Sequence, residues 1–235
     1  MSTSIGPDGS VRRMLGRERP PDTPWVRVAG AAKRHVGEMI HRGRAVVTHW
    51  AAIGPKSPRG RAFHSFGDGS VVCYPPNTLM NVEYISIGAN TMIGPDVALS
   101  AGMVPGQRCV NTPVVSIGDR CLIGRGSGIV GHLSIVIGDD VWTGHHIYIT
   151  DQNHGYDDAD LPISRQFQPE REVVIGDGSW IGHGAVILPG TRIGRRVVIG
   201  ANSVVSGVSP DHSVAVGAPA RVIRTTAGGV ADVSA

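Results

Sequence analysis

The residues of this chain best suited to chemistry are histidines, and five of them stand out: His132, His145, His146, His154 and His183. An imidazole takes and returns a proton near neutral pH, and it also ligates transition metals. The group His145, His146 and His154 invites the metal reading. The three cysteines, Cys73, Cys109 and Cys121, are odd in number and show no metal-like spacing. They fit a reduced cytoplasmic protein better than a disulfide scaffold. Asp157, Asp158 and Asp160 could hold calcium, although a solvated acidic loop accounts for them more simply. Near the C-terminal end, Arg221 and Arg224 carry forked donors that suit phosphate.

The elements that must position these groups follow from a repeat. Ile175, Ile181, Ile187, Ile193, Ile199 and Val205 follow one another at a constant step of six. A small or β-branched residue stands two places before each next aliphatic: Ser179, Ala185, Thr191, Val197 and Ser203. A period of six would carry an apolar stripe round an α-helix, whereas strand alternation broken by a corner accommodates it. Three hexads make one triangular coil, and stacked coils bury the aliphatics inside a prism. Glycine follows many of the aliphatics, and it is expected to supply the unusual dihedrals of the corners. The composition agrees, with 33 glycines and only 5% aromatic residues. The fold expected is an all-β, left-handed parallel β-helix, an exception to the right-handed crossover preference.

Breaks in the register locate the excursions. Ile117, Ile123, Ile129 and Ile135 keep phase, but Ile137, Thr143 and Ile149 are shifted by two. The corner Val130–Ser134 therefore holds extra residues and should bulge. Insertions are expected over 101–115 and 154–174, the second polar, irregular and protruding. Long loops on a repeat scaffold usually carry function. The chain thus divides into an arm with a short helix over 1–44 and a β-helix over 45–206. A C-terminal segment and tail over 207–235 leave the prism at Gly207.

The stretch from Ile117 to Arg224 resembles the maltose/galactoside O-acetyltransferase family, especially its O-antigen and capsule branch. The motifs are IGDDVWTGHHIYITDQNH, VVIGDGSWIGHGAVILPGTRIG, VIGANSVV and VAVGAPARVIR. The resemblance implies a CoA-dependent O-acyltransferase moving acetyl from acetyl-CoA to a sugar or glycan hydroxyl. It implies a homotrimer with clefts between neighbouring prisms. His154 matches the catalytic base. Asn153, His132 and Trp180 match acceptor-side or cleft positions. His132 replaces an acidic residue of the family, and Gly124 falls near a missing acceptor-binding asparagine, which leaves the acceptor open. His183, Ala201, Ser206, Gly207, Arg221 and Arg224 match positions that hold coenzyme A. The family often has lysine where Gly207 stands. No metal is implied.

Other readings share the fold, since hexads alone do not fix an activity. A succinyl or medium-chain acyl group could replace acetyl, and the acceptor could be a glycolipid. A non-catalytic scaffold or a carbonic-anhydrase-like metalloenzyme would use the same prism. A formal charge of +3 is too small to argue for nucleic acid. No apolar run approaches the ~18 residues of a membrane span, and the N-terminal stretch has no apolar signal core. A cytoplasmic location is expected.

Overall fold

The computed structural model describes residues 24–166 and 169–226. The expected arm before residue 24 and tail after residue 226 lie outside the described residues. The chain divides into two units, Met1–Val47 and Thr48–Ala235. One helix, Pro24–Trp50, makes up the described part of the first and ends within the first residues of the second. It runs past Arg44, where the short helix was expected to end. Gly43 costs a helix only about 1 kcal/mol and the β-branched pair Val46 and Val47 less, and they keep the helical spacing of the apolar residues.

In the second unit three sheets form the sides of a prism. The first side stacks Ser65–Phe66, Ile85–Ile87, Val115–Ile117, Ile135–Ile137, Val173–Ile175, Arg192–Ile193 and Val208–Ser209. The second stacks Val71–Val72, Met92–Ile93, Leu122–Ile123, Trp142–Thr143, Trp180–Ile181, Val198–Ile199 and Ser213–Gly217. The third stacks Leu79–Met80, Ala98–Ala101, Gly128–Gly131, Tyr148–Thr150, Val186–Ile187 and Val204–Val205. Pairing within these stacks is parallel, and the chain visits the sides in that order, coil after coil. The architecture is the left-handed parallel β-helix. Ile175 pairs with Ile193, Ile181 with Ile199 and Ile187 with Val205, so one coil is three hexads. These aliphatics are buried, as are the small residues Ser179, Ala185, Thr191, Val197 and Ser203. The buried hydroxyls are satisfied: Ser179 Oγ donates to Gly194 O at 3.0 Å and Thr191 Oγ1 to Leu188 O at 2.6 Å.

Two expectations are corrected. The glycine after each aliphatic does not supply the corner's positive φ. That role falls two places later, on Asn90, Asp140, His146, Asn202 and Gly178, among others. The glycine is required by close approach. A Cβ on Gly176 would lie 2.6 Å from the backbone of Gly194, and one on Gly182 would lie 2.7 Å from that of Gly200. The second correction concerns the end of the prism. Val208–Ser209 pairs with Arg192–Ile193, and Ser213–Gly217 with Val198–Ile199, so the chain adds another turn after Gly207. Ile193 pairs with Ser209, sixteen residues on, where Ile175 and Ile193 are eighteen apart. The shortened corner hid this turn from a hexad count. Ala220–Thr225 then folds back antiparallel on Ser213–Gly217.

Candidate functional site

Both insertions leave the prism at the edge between its third and first sides. Ala101 and Val115 bracket one, and Asp151 and Val173 the other. The bulged corner 131–134 lies at the same edge, because Ile117 pairs with Ile137 two residues beyond a regular coil. A fully buried carboxylate holds this corner. Asp151 is 0% exposed. Its Oδ2 accepts from the backbone N–H of Leu133 and Ser134 at 2.8 Å and of His132 at 3.0 Å, and its Oδ1 from His132 N–H at 2.9 Å. Three successive N–H groups converging on one anion form a nest. The insertions meet on this corner. Asn111 Nδ2 donates to Leu133 O at 3.0 Å, and Ser134 Oγ to Glu172 Oε1 at 3.1 Å. His132, with a side chain only 9% exposed, brings Nδ1 to 3.4 Å from Glu170 Oε1.

His154 follows Asp151 by three and is exposed. Its backbone is pinned on both flanks. Asn153 Oδ1 accepts from His154 N–H at 2.9 Å, and Gly155 N–H donates to Gln166 O at 3.0 Å. Gln166 is itself buried and closes the loop, donating through Nε2 to Asp158 O at 2.7 Å and Leu161 O at 2.8 Å. At the foot, Arg171 N–H donates to Asp151 O at 2.8 Å. Ser206 and Gly207 are exposed at this same edge, two coils further on.

The remaining candidates lie elsewhere. His183 and Ala201 are exposed at the edge between the second and third sides. His145 and His146 share that edge. The ring centroids of His183 lie 6.4 Å from His145 and 5.6 Å from His146. The histidine group is therefore His145, His146 and His183, and not His145, His146 and His154 as the sequence suggested. Among the described residues no group of three or more His, Cys, Asp or Glu is arranged to hold a metal ion. Trp180 stands on the outer second side beside Trp142, in register, and both are exposed. Arg221 pairs with Val216, near the histidine edge, whereas Arg224 pairs with Val214, near the far end of that strand. Both are exposed.

The candidates thus form two columns, one on each edge of the third side. His132, Asn153, His154, Ser206 and Gly207 line one. His183, Ala201 and Arg221 line the other. Ala201 and Ser206 in one coil are five steps apart, with the turn at Asn202 and the strand Val204–Val205 between them, so their separation is at most about 17 Å at 3.3 Å per residue. Sequence reasoning missed Asp151, Glu170 and Gln166. Each is a polar residue within or just before a polar loop, and nothing in its spacing distinguishes it from solvated neighbours.

Comparisons with known proteins agree with this architecture. The family described as bacterial transferase hexapeptide (six repeats) matches residues 172–207. The hexapeptide repeat of succinyl-transferase matches residues 114–150. A probable acetyltransferase of Mycobacterium tuberculosis is 45% identical over 46% of this chain and 36% of its own length. A galactoside O-acetyltransferase of Lactococcus lactis is 37% identical over 42% of this chain and 51% of its own. This chain spans about half or less of the length of these relatives. An N-acyltransferase from Bacillus cereus, solved with dTDP and coenzyme A, superposes with a TM-score of 0.61. It is 20% identical over 74% of this chain and 90% of its own, and it shares the fold.

Proposed function

We propose that this chain, which belongs to the hexapeptide-repeat transferases, moves an acetyl group from acetyl-CoA to a sugar hydroxyl, with His154 as general base. The observation that carries the reading is His154 itself. It is an exposed imidazole at the head of a loop whose backbone is held on both flanks and whose foot is locked by Asp151. A base needs that combination of access and fixed position.

The reaction requires no covalent enzyme intermediate. His154 takes the hydroxyl proton as the sugar oxygen attacks the thioester carbonyl carbon. The tetrahedral intermediate collapses, the C–S bond breaks, and the imidazolium returns the proton to the thiolate. An ester and free coenzyme A leave. Backbone N–H groups at a coil corner are the natural donors for the oxyanion. Coenzyme A is assigned to the edge of His183, Ala201 and Arg221, the sugar to that of His132, Asn153 and His154, and Trp180 to a wall of the cleft. Ser206 and Gly207, assigned to the cofactor from sequence, stand on the His154 edge. A site containing both edges is closed by a second copy of the chain, and a three-fold ring supplies that contact at every prism. The relatives named for galactoside O-acetylation support a sugar acceptor. An acyl-CoA donor and three free cysteines support a cytoplasmic reaction.

The test incubates the protein with candidate glycans and acetyl-, succinyl- or medium-chain acyl-CoA, and reads the mass of the glycan. A gain of one acetyl group is expected with wild type. His154→Ala should lower kcat roughly 10²–10⁴-fold while acyl-CoA binding by calorimetry persists. Equal turnover of the two proteins rejects the base assignment. Transfer of succinyl but not acetyl rejects the donor.

A further inference from the structure

The helix Pro24–Trp50 has no part in the proposed reaction, yet its surface is strongly patterned. At 3.6 residues per turn, Val28, Val36, Met39, Ile40, Val46, Val47 and Trp50 all fall within about one third of the helix circumference, which places them on one stripe. That stripe is open: Met39 is 72% exposed, Ile40 63% and Trp50 81%. The other face carries Lys33, Arg34, Arg42 and Arg44 against a single acid, Glu38, together with His41 and His49. Arg42 Nε lies 4.0 Å from Glu38 Oε2, an exposed i,i+4 pair.

We propose that this helix lies flat on an anionic lipid surface, apolar stripe down. Its charge favours this occupant over a second copy of the helix. Self-association would bring like-charged flanks together with one Glu per helix to pair them, whereas coiled coils rely on opposite charges beside the seam. The stripe is also broad. Met39 and Ile40, and again Val46 and Val47, widen it beyond a single seam, and Gly43 leaves its centre without a knob. A wide apolar face opposite a basic one is the pattern of an interfacial helix, and tryptophan at one end suits the headgroup level. Among the described residues no helix is long and apolar enough to cross a membrane, so the helix rests on the surface.

The test is co-sedimentation of the full chain with vesicles of phosphatidylcholine containing about one-third phosphatidylglycerol, against phosphatidylcholine alone. Binding is expected to the mixed vesicles, falling as salt rises. Lys33→Gln with Arg34→Gln should weaken it roughly 20–30-fold, since each basic residue near such a surface contributes about a factor of five. Met39→Asp with Ile40→Asp should abolish it while the sedimentation mass of the lipid-free protein stays unchanged. No binding to mixed vesicles overturns the proposal, as does equal binding to neutral ones that ignores both pairs of changes. A smaller lipid-free mass for Met39→Asp with Ile40→Asp also overturns it, because the stripe would then hold copies of the chain together.

Discussion

Asp151→Asn tests whether the nest at the bulged corner is what positions the site. The carboxylate accepts four hydrogen bonds of 2.8–3.0 Å from three backbone N–H groups, with no solvent exposure. An amide keeps one oxygen, which can hold Leu133, Ser134 and the longer bond from His132. Its nitrogen then sits where Oδ1 stood, 2.9 Å from the His132 nitrogen, so a donor faces a donor. The negative charge disappears as well. Removing the charge-assisted hydrogen bond on Oδ1 and weakening the three on Oδ2 costs about 2–3 kcal/mol. That is roughly 30–150-fold in a local opening equilibrium. Hydrogen exchange should quicken by that factor at the amides of His132, Leu133 and Ser134. It should stay unchanged in the last coil, from Arg192–Ile193 to Val204–Val205, which makes no hydrogen bond to residues 131–134. Turnover should fall because His132 and the foot of the His154 loop lose their anchor. The KM for acyl-CoA should hold, since the residues proposed to bind it line the other edge. Unchanged exchange and turnover would refute the reasoning. Uniform acceleration across the prism would show that Asp151 supports the fold at large rather than the site.

Arg221→Ala should raise the KM for acyl-CoA with little change in kcat, and Arg224→Ala should do so far less, because the two pair at opposite ends of one strand. Steady-state kinetics of the two single variants decides it. Burial pushes the Cys121 thiol up to about 11, against a weaker lowering by the Val141 backbone. A native-state label at pH 8 should therefore miss Cys121, and unfolding should expose it. A thiol whose folded value is raised supports the folded state below its unfolded value and loses that support as pH climbs toward 11. Denaturant midpoints should thus fall between pH 9 and pH 11, and fall less in Cys121→Ala.

The prism was legible because its constraint is local and repeated. Ile175 to Val205 state the coil length outright, and the phase shift at Ile137 marks the bulged corner. The glycines were legible in position but not in cause. A missing Cβ looks the same whether a dihedral or a neighbouring backbone demands it, and only the stacked coil shows that Gly194 crowds Gly176. The last turn was hidden by the shortened corner between Val205 and Val208. Asp151 was illegible for a different reason. Its three partners lie 17 to 19 residues earlier and donate through backbone, so their side chains carry no trace of the hydrogen bonds. The split of the site was hidden too. A motif places residues along the chain, and here His145 and His154 flank one strand of the third side yet stand at opposite edges of it.

That split has a consequence that two inactive proteins can test together. His154→Ala damages the loop edge and leaves the other edge intact. Ala201→Trp should do the reverse. Ala201 is exposed on the histidine edge, so a large ring there blocks the cofactor column without entering the core. If each site draws on one edge from each of two neighbouring chains, both variants alone are inactive. Coexpressed at equal levels with different tags, they assemble mixed rings. A site is then intact when a loop edge from Ala201→Trp meets a cofactor edge from His154→Ala. Random assembly gives that pairing at about a quarter of the interfaces in a closed ring, so the mixture should recover about a quarter of wild-type turnover. If both edges served a site within one chain, every site would keep one damaged edge and the mixture would stay inactive. Recovery near a quarter, with each variant alone inactive and of wild-type mass, fixes the site between copies. No recovery from verified mixed rings would move it onto a single prism and break the link between His154 and the cofactor edge.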